Sequence, residues 1–193
     1  IEDIAIMRTL PNMIVLCPCD AVEASCLLEQ TVYCQKPVYI RLGKGGDRIV
    51  TKDNGQIKIG KAELKRVPGK VLIISTGVMT QNALSASETL ACYGIEAGVL
   101  HMPTIKPIDN EALKLWIPNT DFILTVEEHL RAGGLGSAIL EFCNDFMPDQ
   151  TKKIYRMGIN DNFADEYGNQ NSLWEYWGID AKSIFNKIQE IML

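Results

Sequence analysis

The hydrophobic and polar positions of this chain follow two periods, and the switches between them mark its elements. The opening stretch Ile1-Glu-Asp-Ile-Ala-Ile-Met-Arg8 reads as an amphipathic helix already under way at its first residue. Thr9-Leu-Pro-Asn12 then leads into the apolar strand Met13-Ile-Val-Leu-Cys17. A second helix is expected from Asp20, whose side chain can cap the free amides, with Glu23 at the capping-box position. Lys36-Pro-Val-Tyr-Ile-Arg-Leu-Gly43 is β-rich and is closed by glycines. Residues 1–50 therefore read as helix, strand, helix, strand, the tail of an α/β domain. A chain that opens inside a packed element is expected to be the C-terminal piece of a larger protein.

Residues 51–69 carry the turn signal Asp53-Asn-Gly55, the alternating Gln56-Ile-Lys-Ile-Gly60 and the closing Pro68-Gly69. They read as an interdomain linker bearing a short polar hairpin. From Lys70 the pattern becomes regular. Val71-Leu-Ile-Ile-Ser-Thr76 is a continuous apolar run, as a strand covered on both faces requires. Met79, Ala83, Ala86, Leu90 and Tyr93 recur in helical steps, with Gly94 placed as the C′ residue. Further strands are expected near 97–102, 122–126 and 153–157, and further helices near 110–116, over 135–143 and after the cap Asp180. Strands alternating with helices imply a mostly parallel (mixed) sheet between helical layers, a three-layer α/β/α domain over residues 70–193.

Composition narrows the function classes. Of 193 residues 47% are hydrophobic and 22% charged, ordinary for a globular protein and incompatible with disorder. No apolar run approaches the roughly 20 residues that span a bilayer, and no secretory pattern appears. The net charge of −5 gives no electrostatic case for nucleic acid. Charge is uneven, however. Between Lys44 and Lys70 eight basic residues face three acidic ones, +5 on that segment and −10 on the rest. Such a stretch attracts phosphorylated ligands or is a solvated linker. The six cysteines form neither a CxxC pair nor a disulfide framework. Cys17-Pro-Cys19 has the wrong spacing for a thioredoxin-type motif, and reduced thiols in a cytoplasmic protein are the simplest account.

The candidate chemistry is sparse. Thr125-Val-Glu-Glu-His-Leu-Arg-Ala-Gly-Gly-Leu-Gly-Ser137 lies where a strand leads into a helix, a common ligand position in open α/β sheets. Its glycines match neither GxGxxG nor a Walker motif. Gly133, Gly134 and Gly136 could instead permit tight strand–helix packing while Glu127, Glu128 and His129 hydrogen-bond across an interface. The two histidines, His101 and His129, stand in no HxxxH or H-x-E pairing, so no metal site is expected, and His101 at a strand end reads as structural. Ser137 lies in no GxSxG elbow, which leaves a Ser-His-Asp hydrolase without support. Asp161, Asp165 and Glu166 belong to an ordinary polar loop. No self-sufficient active site emerges, and no catalytic residue is expected in this chain.

Taken in order, Ile1-Glu-Asp-Ile-Ala-Ile-Met-Arg-Thr-Leu-Pro-Asn-Met13, Pro18-Cys-Asp20, Glu23 and Pro37-Val-Tyr-Ile-Arg-Leu-Gly43 resemble the transketolase family. So do Gly77, Gly94-Ile-Glu-Ala97, Ile105-Lys-Pro-Ile-Asp109, Val126-Glu-Glu-His129, Gly133-Gly-Leu-Gly-Ser137 and Gly158-Ile-Asn-Asp-Asn-Phe163. The match is to the C-terminal section of a split transketolase: the end of the pyrimidine-binding domain plus the C-terminal domain. It separates less well between transketolase, deoxyxylulose-phosphate synthase and the β subunit of 2-oxoacid dehydrogenase E1. A non-enzymatic interaction or regulatory module of the same fold is the rival from another class. The resemblance implies thiamine diphosphate and Mg²⁺ (or Ca²⁺) in the intact parent, and none in this section. The family's catalytic Glu, Gly-Asp-Gly metal motif and Thr-His segment would precede Ile1. It further implies a missing N-terminal section or partner subunit, a homodimer and a phosphorylated sugar substrate, with no nucleic acid or membrane. Where the family presents an Arg to the substrate phosphate, this chain has Lys44, with Arg41 nearby.

Overall fold

The computed structural model describes residues 1–52, 57–150 and 152–193. The turn signal at Asp53-Asn-Gly55, with Gln56, lies outside the described residues. A short helix α1 (Asp3–Thr9) and strand β1 (Ile14–Leu16) come first, then α2 (Ala21–Thr31) and β2 (Val38–Ile40). Asp20 caps α2 as its position demands, accepting from the Glu23 amide at 3.0 Å. Its other oxygen accepts the amides of Val50 and Thr51 at 2.8 and 2.7 Å, which fastens the following segment to the helix start.

The second half holds β3 (Glu63–Arg66), β4 (Val71–Ser75), α3 (Met79–Cys92), β5 (Ala97–His101), β6 (Thr104–Lys106), α4 (Asn110–Trp116), β7 (Phe122–Leu130), α5 (Leu135–Phe146), β8 (Lys153–Ile159), α6 (Gln170–Tyr176) and α7 (Ala181–Met192). Five of its strands form one sheet in the order β3-β5-β4-β7-β8, parallel except for β3. Successive side chains of a strand face opposite ways, so β4 and β7 split between two cores. Val71, Ile73, Leu124 and Val126 pack with Met79, Leu90, Ile184 and Ile188 on one face. Leu72, Ile74 and Ile123 pack with Leu113, Ile139 and Phe142 on the other. The result is the expected α/β/α sandwich with a mixed sheet. At the end of α3 the Gly94 amide bonds Ala91 O and the Ile95 amide bonds Leu90 O, a Schellman closure that needs the positive φ of Gly94.

Three features depart from the sequence reading. The described part of 51–69 is not a solvated tether: Glu63–Arg66 edges the main sheet, antiparallel to β5. Gln30 holds Ile57 O and the Ile59 amide, and Asp109 holds the Ala62 amide. A domain boundary at Lys70 therefore cuts off a strand that the sheet uses. Second, the three residues of β6 leave the main sheet and pair antiparallel with β1, which already pairs in parallel with β2. The smaller sheet is thus completed by a strand from the second half, and Ile4, Val15, Cys17, Ile105 and Ala138 share a core across the junction. Third, α6 occupies a stretch whose polar pattern predicts no helix. Asn169 caps it through the Ser172 amide at 3.0 Å, and Trp174 buries against the α3–α7 core. Among the described residues no helix is long and apolar enough to cross a membrane.

Candidate functional site

β2 ends at Ile40, and the next residues carry the chain into a cavity of about 310 Å³ at the junction of the two halves. Arg41, Lys44, Glu128 and Trp174 are among its walls. β7 supplies Glu128 because it runs on for several residues beyond its pairing with β4, which ends at Val126. Arg41 is fully engaged. Its guanidinium donates to Glu128 O at 2.5 Å and lies 3.4 Å from the Asp3 carboxylate and 3.9 Å from that of Glu128. Burial pushes the Asp3 carboxyl up, but the Arg41 charge and the Tyr39 hydroxyl outweigh it and hold it below its ordinary value. Glu128 also accepts from Trp174 Nε1 at 2.6 Å and Gln170 Nε2 at 3.5 Å. Helix α6, which the sequence pattern does not announce, is what closes this wall.

Lys44 differs from Arg41. It is exposed at the cavity mouth and, among the described residues, makes no hydrogen bond or ion pair. The backbone before it is tightly approached: a Cβ on Gly43 would fall 2.6 Å from Asp47 Oδ2 and 2.8 Å from Val78 Cγ1. Gly45 and Gly46 then turn the chain with φ of 99° and 82°, a region side chains rarely tolerate. The ammonium therefore stands on a constrained turn with its charge uncommitted. Of the two cations expected to meet a phosphate, only Lys44 is free to do so.

The Glu127–Gly136 segment forms a second, buried constellation that faces inward. Glu127 accepts the Leu135 and Gly136 amides at 2.6 and 2.8 Å, capping the N-terminus of α5 with both carboxylate oxygens. A Cβ on Gly134 would collide with Glu127 Oε2, and one on Gly136 would lie 2.8 Å from Thr125 Oγ1. His129 Nε2 accepts the Ala5 amide at 3.3 Å while Nδ1 donates to Leu130 O at 2.7 Å. Both nitrogens of a neutral ring are thereby used, in keeping with burial that pulls its pKa below the ordinary value. Gly133 O accepts from Arg8, which also pairs with Glu141 at 2.5 Å. These residues bind α1 to α5 and β7. They offer no free donor or acceptor toward the cavity of Arg41 and Lys44, whereas Glu128 points into it.

Glu127 gives this constellation a pH signature. Burial pushes its pKa from 4.5 up to about 7, against the two amides and the Arg156 and Arg8 charges. Because the folded value is raised, its contribution to stability is full below pH 4.5 and is lost as pH rises through 7, a change on the order of 3 kcal/mol. Urea titrations at pH 5 and pH 8 should show the stability advantage of wild type over Glu127→Gln shrinking at the higher pH. A gap that widens would contradict the assignment.

A third cluster has no motif in the sequence to announce it. Cys19, Glu23 and His101 meet although the last two are 78 positions apart. His101 Nε2 lies 2.7 Å from Glu23 Oε2, and Glu23 reaches the Cys19 amide at 2.7 Å, one residue beyond a capping box. Only the i, i+4 spacing of Cys19 and Glu23 hints at it. None of the six cysteines is in a disulfide; burial pushes the Cys17 thiol up to about 12 and raises that of Cys19, opposed there by His101.

This layout defines a class: an α/β chain in which a small three-stranded sheet leans on a five-stranded α/β/α domain. Comparison with known proteins places it more narrowly. Residues 60–184 match the transketolase C-terminal domain and residues 1–46 the transketolase pyrimidine binding domain. The chain belongs to the transketolase family. It is 37% identical over 193 residues to a Methanocaldococcus jannaschii protein assigned as a transketolase C-terminal section, covering 99% of this chain and 59% of that one. It is 37% identical to the 6-deoxy-6-sulfo-D-fructose transketolase subunit SqwH of a Clostridium species, covering 98% and 58%. A 1-deoxy-D-xylulose-5-phosphate synthase of Syntrophus aciditrophicus is 36% identical, with 98% of this chain against 29% of the enzyme. Among solved structures, a split-gene transketolase described as an inactive β4 tetramer superposes with a TM-score of 0.91 at 34% identity, covering 98% of this chain and 61% of that one. The chain thus spans about three fifths of these transketolase relatives.

Proposed function

We propose that this chain is the C-terminal section of a thiamine-diphosphate-dependent transketolase that moves a two-carbon ketol unit between phosphorylated sugars. The observation that carries the reading is Lys44, an uncommitted cation at the mouth of a cavity where the two halves meet, while Arg41 beside it is neutralised by Asp3 and Glu128. A lone ammonium suits the terminal phosphate of a sugar, which it meets as a point charge without the bidentate fork of an arginine. Arg41, Glu128 and Trp174 act as the scaffold of that wall. Glu127, His129 and the glycines Gly133, Gly134 and Gly136 keep α1 and α5 together, and the C-terminal domain braces a homodimer of the parent.

In this reading the cavity is not the cofactor's own site. Of the two carboxylates on its wall, Glu128 is spent on Arg41, Gln170 and Trp174, and Glu166 is an exposed side chain. The cofactor, its Mg²⁺ (or Ca²⁺) and the catalytic Glu belong in this reading to the section that the transketolase relatives have beyond the matched part, on the same polypeptide or on a companion subunit. Calorimetric titration of this chain alone with thiamine diphosphate and Mg²⁺ should give no binding heat. Saturable binding would overturn the division of labour. A second reading, deoxyxylulose-phosphate synthase, draws on the 36% identity to such an enzyme and keeps the role of Lys44.

A further inference from the structure

We propose that Cys19, Glu23 and His101 form a binding site for one divalent transition-metal ion, zinc by the chemistry of the donors, at the seam between the two sheets. The three residues come from three elements: the loop after β1, the first turn of α2 and the last position of β5. One sulfur, one carboxylate oxygen and one imidazole nitrogen lie within 4.8 Å of one another, and all three side chains are at most 1% exposed. Thiolate, imidazole and carboxylate together are a donor set that zinc accepts in tetrahedral geometry, with bonds of about 2.0–2.3 Å.

Two observations favour an ion over a plain Glu–His pair. A proton shared between His101 Nε2 and Glu23 Oε2 satisfies only that oxygen, which also holds the Cys19 amide. Glu23 Oε1 is buried with no hydrogen-bond partner among the described residues, and Glu23 borders a cavity of about 310 Å³ walled by Lys61, Glu63, Leu64 and Pro103. A buried carboxylate oxygen left without a partner is costly, and a cation would satisfy it. Second, His101 is oriented as metal-bound histidines are. Its Nδ1 contacts Thr80 Oγ1 at 2.7 Å, so Nδ1–H can donate there and leave the Nε2 lone pair toward Cys19 and Glu23. Glu63 stands directly opposite His101 in the β3–β5 register and is held by Lys65 at 2.7 Å, while Lys61 is drawn outward by Asp109 at 3.6 Å. Binding costs two protons, one from the Cys19 thiol and one from the His101 Nε2 of the ion pair, both released to solvent.

The test uses the reduced full chain stripped by a chelator. Cobalt(II) is titrated anaerobically and watched for thiolate-to-metal charge-transfer absorption, and zinc affinity is then read by competition with a chromophoric chelator. One equivalent of cobalt should produce the band. Cys19→Ser should abolish it and weaken zinc at least a hundredfold with an unchanged far-UV circular dichroism spectrum, and His101→Gln should do the same if it folds. Absence of the band in wild type, or its survival in Cys19→Ser, would overturn the site. So would a nitrogen NMR signature of His101 that stays doubly protonated with equimolar zinc, which would leave an ion pair only.

Discussion

Gly134→Ala should cost this chain about 3 kcal/mol of stability, read as a lowered urea midpoint with the slope unchanged. The added Cβ would overlap Glu127 Oε2 and stand 2.8 Å from His129 Nδ1. The neighbours cannot yield cheaply. Glu127 is held by two backbone amides at the start of α5, and His129 by Ala5 and Leu130. Moving the carboxylate leaves buried amides unpaired, and moving α5 breaks the Arg8 contacts to Gly133 O and Gly134 O that dock α1. Gly94→Ala is the internal control. Gly94 has a φ of 75° and open space where its Cβ would stand, so alanine there meets only backbone strain, about 1 kcal/mol. Gly134 itself has a negative φ of −83°, so a loss at Gly134 no larger than that at Gly94 would contradict the clash with Glu127.

Lys44→Ala should raise KM for a phosphorylated sugar by about tenfold to a hundredfold in the complete enzyme, with kcat little changed. A charge-assisted hydrogen bond to a phosphate is worth about 1.5–3 kcal/mol, and a contact made equally in ground and transition states appears in KM alone. Lys44→Arg should keep KM near wild type, because the charge is retained on the same Gly45-Gly46 turn. Arg41→Ala should behave differently. It leaves the Asp3 and Glu128 carboxylates beside the cavity without the guanidinium that offsets their charge and should lower thermal stability along with activity. Steady-state kinetics paired with thermal melts separate the two residues. An unchanged KM in Lys44→Ala would remove Lys44 from the substrate site.

What is legible in the sequence is whatever rests on local physics. The apolar run at Val71 and the helical stripe from Met79 follow from periodicity, and Asp20, Asp180 and Gly94 act as the caps their positions require. The family resemblance, which rests on motifs in order along the chain, is equally accessible. What escapes notice depends on distant partners. Glu63–Arg66 looks like a polar tether because an edge strand has one partner and half-exposed side chains, and only pairing to β5 makes it a strand. Three residues of β6 carry too little pattern to be seen until β1 lies beside them. Helix α6 is hidden in a polar stretch, although Asn169 before Leu173 and Trp174 is a usable cap signal. The engagement of Arg41 by Glu128 joins positions 87 apart, so no spacing rule could tell that Lys44, and not Arg41, keeps its charge free.

The central claim is most directly tested by ketol transfer in the complete enzyme, this chain joined to the section or companion subunit that the transketolase relatives contain beyond it. With thiamine diphosphate and Mg²⁺, xylulose 5-phosphate and an aldose phosphate should be converted to the two-carbon exchange products, and omission of either section should abolish turnover. Turnover only with pyruvate as donor, or none with any ketose phosphate, would contradict the account.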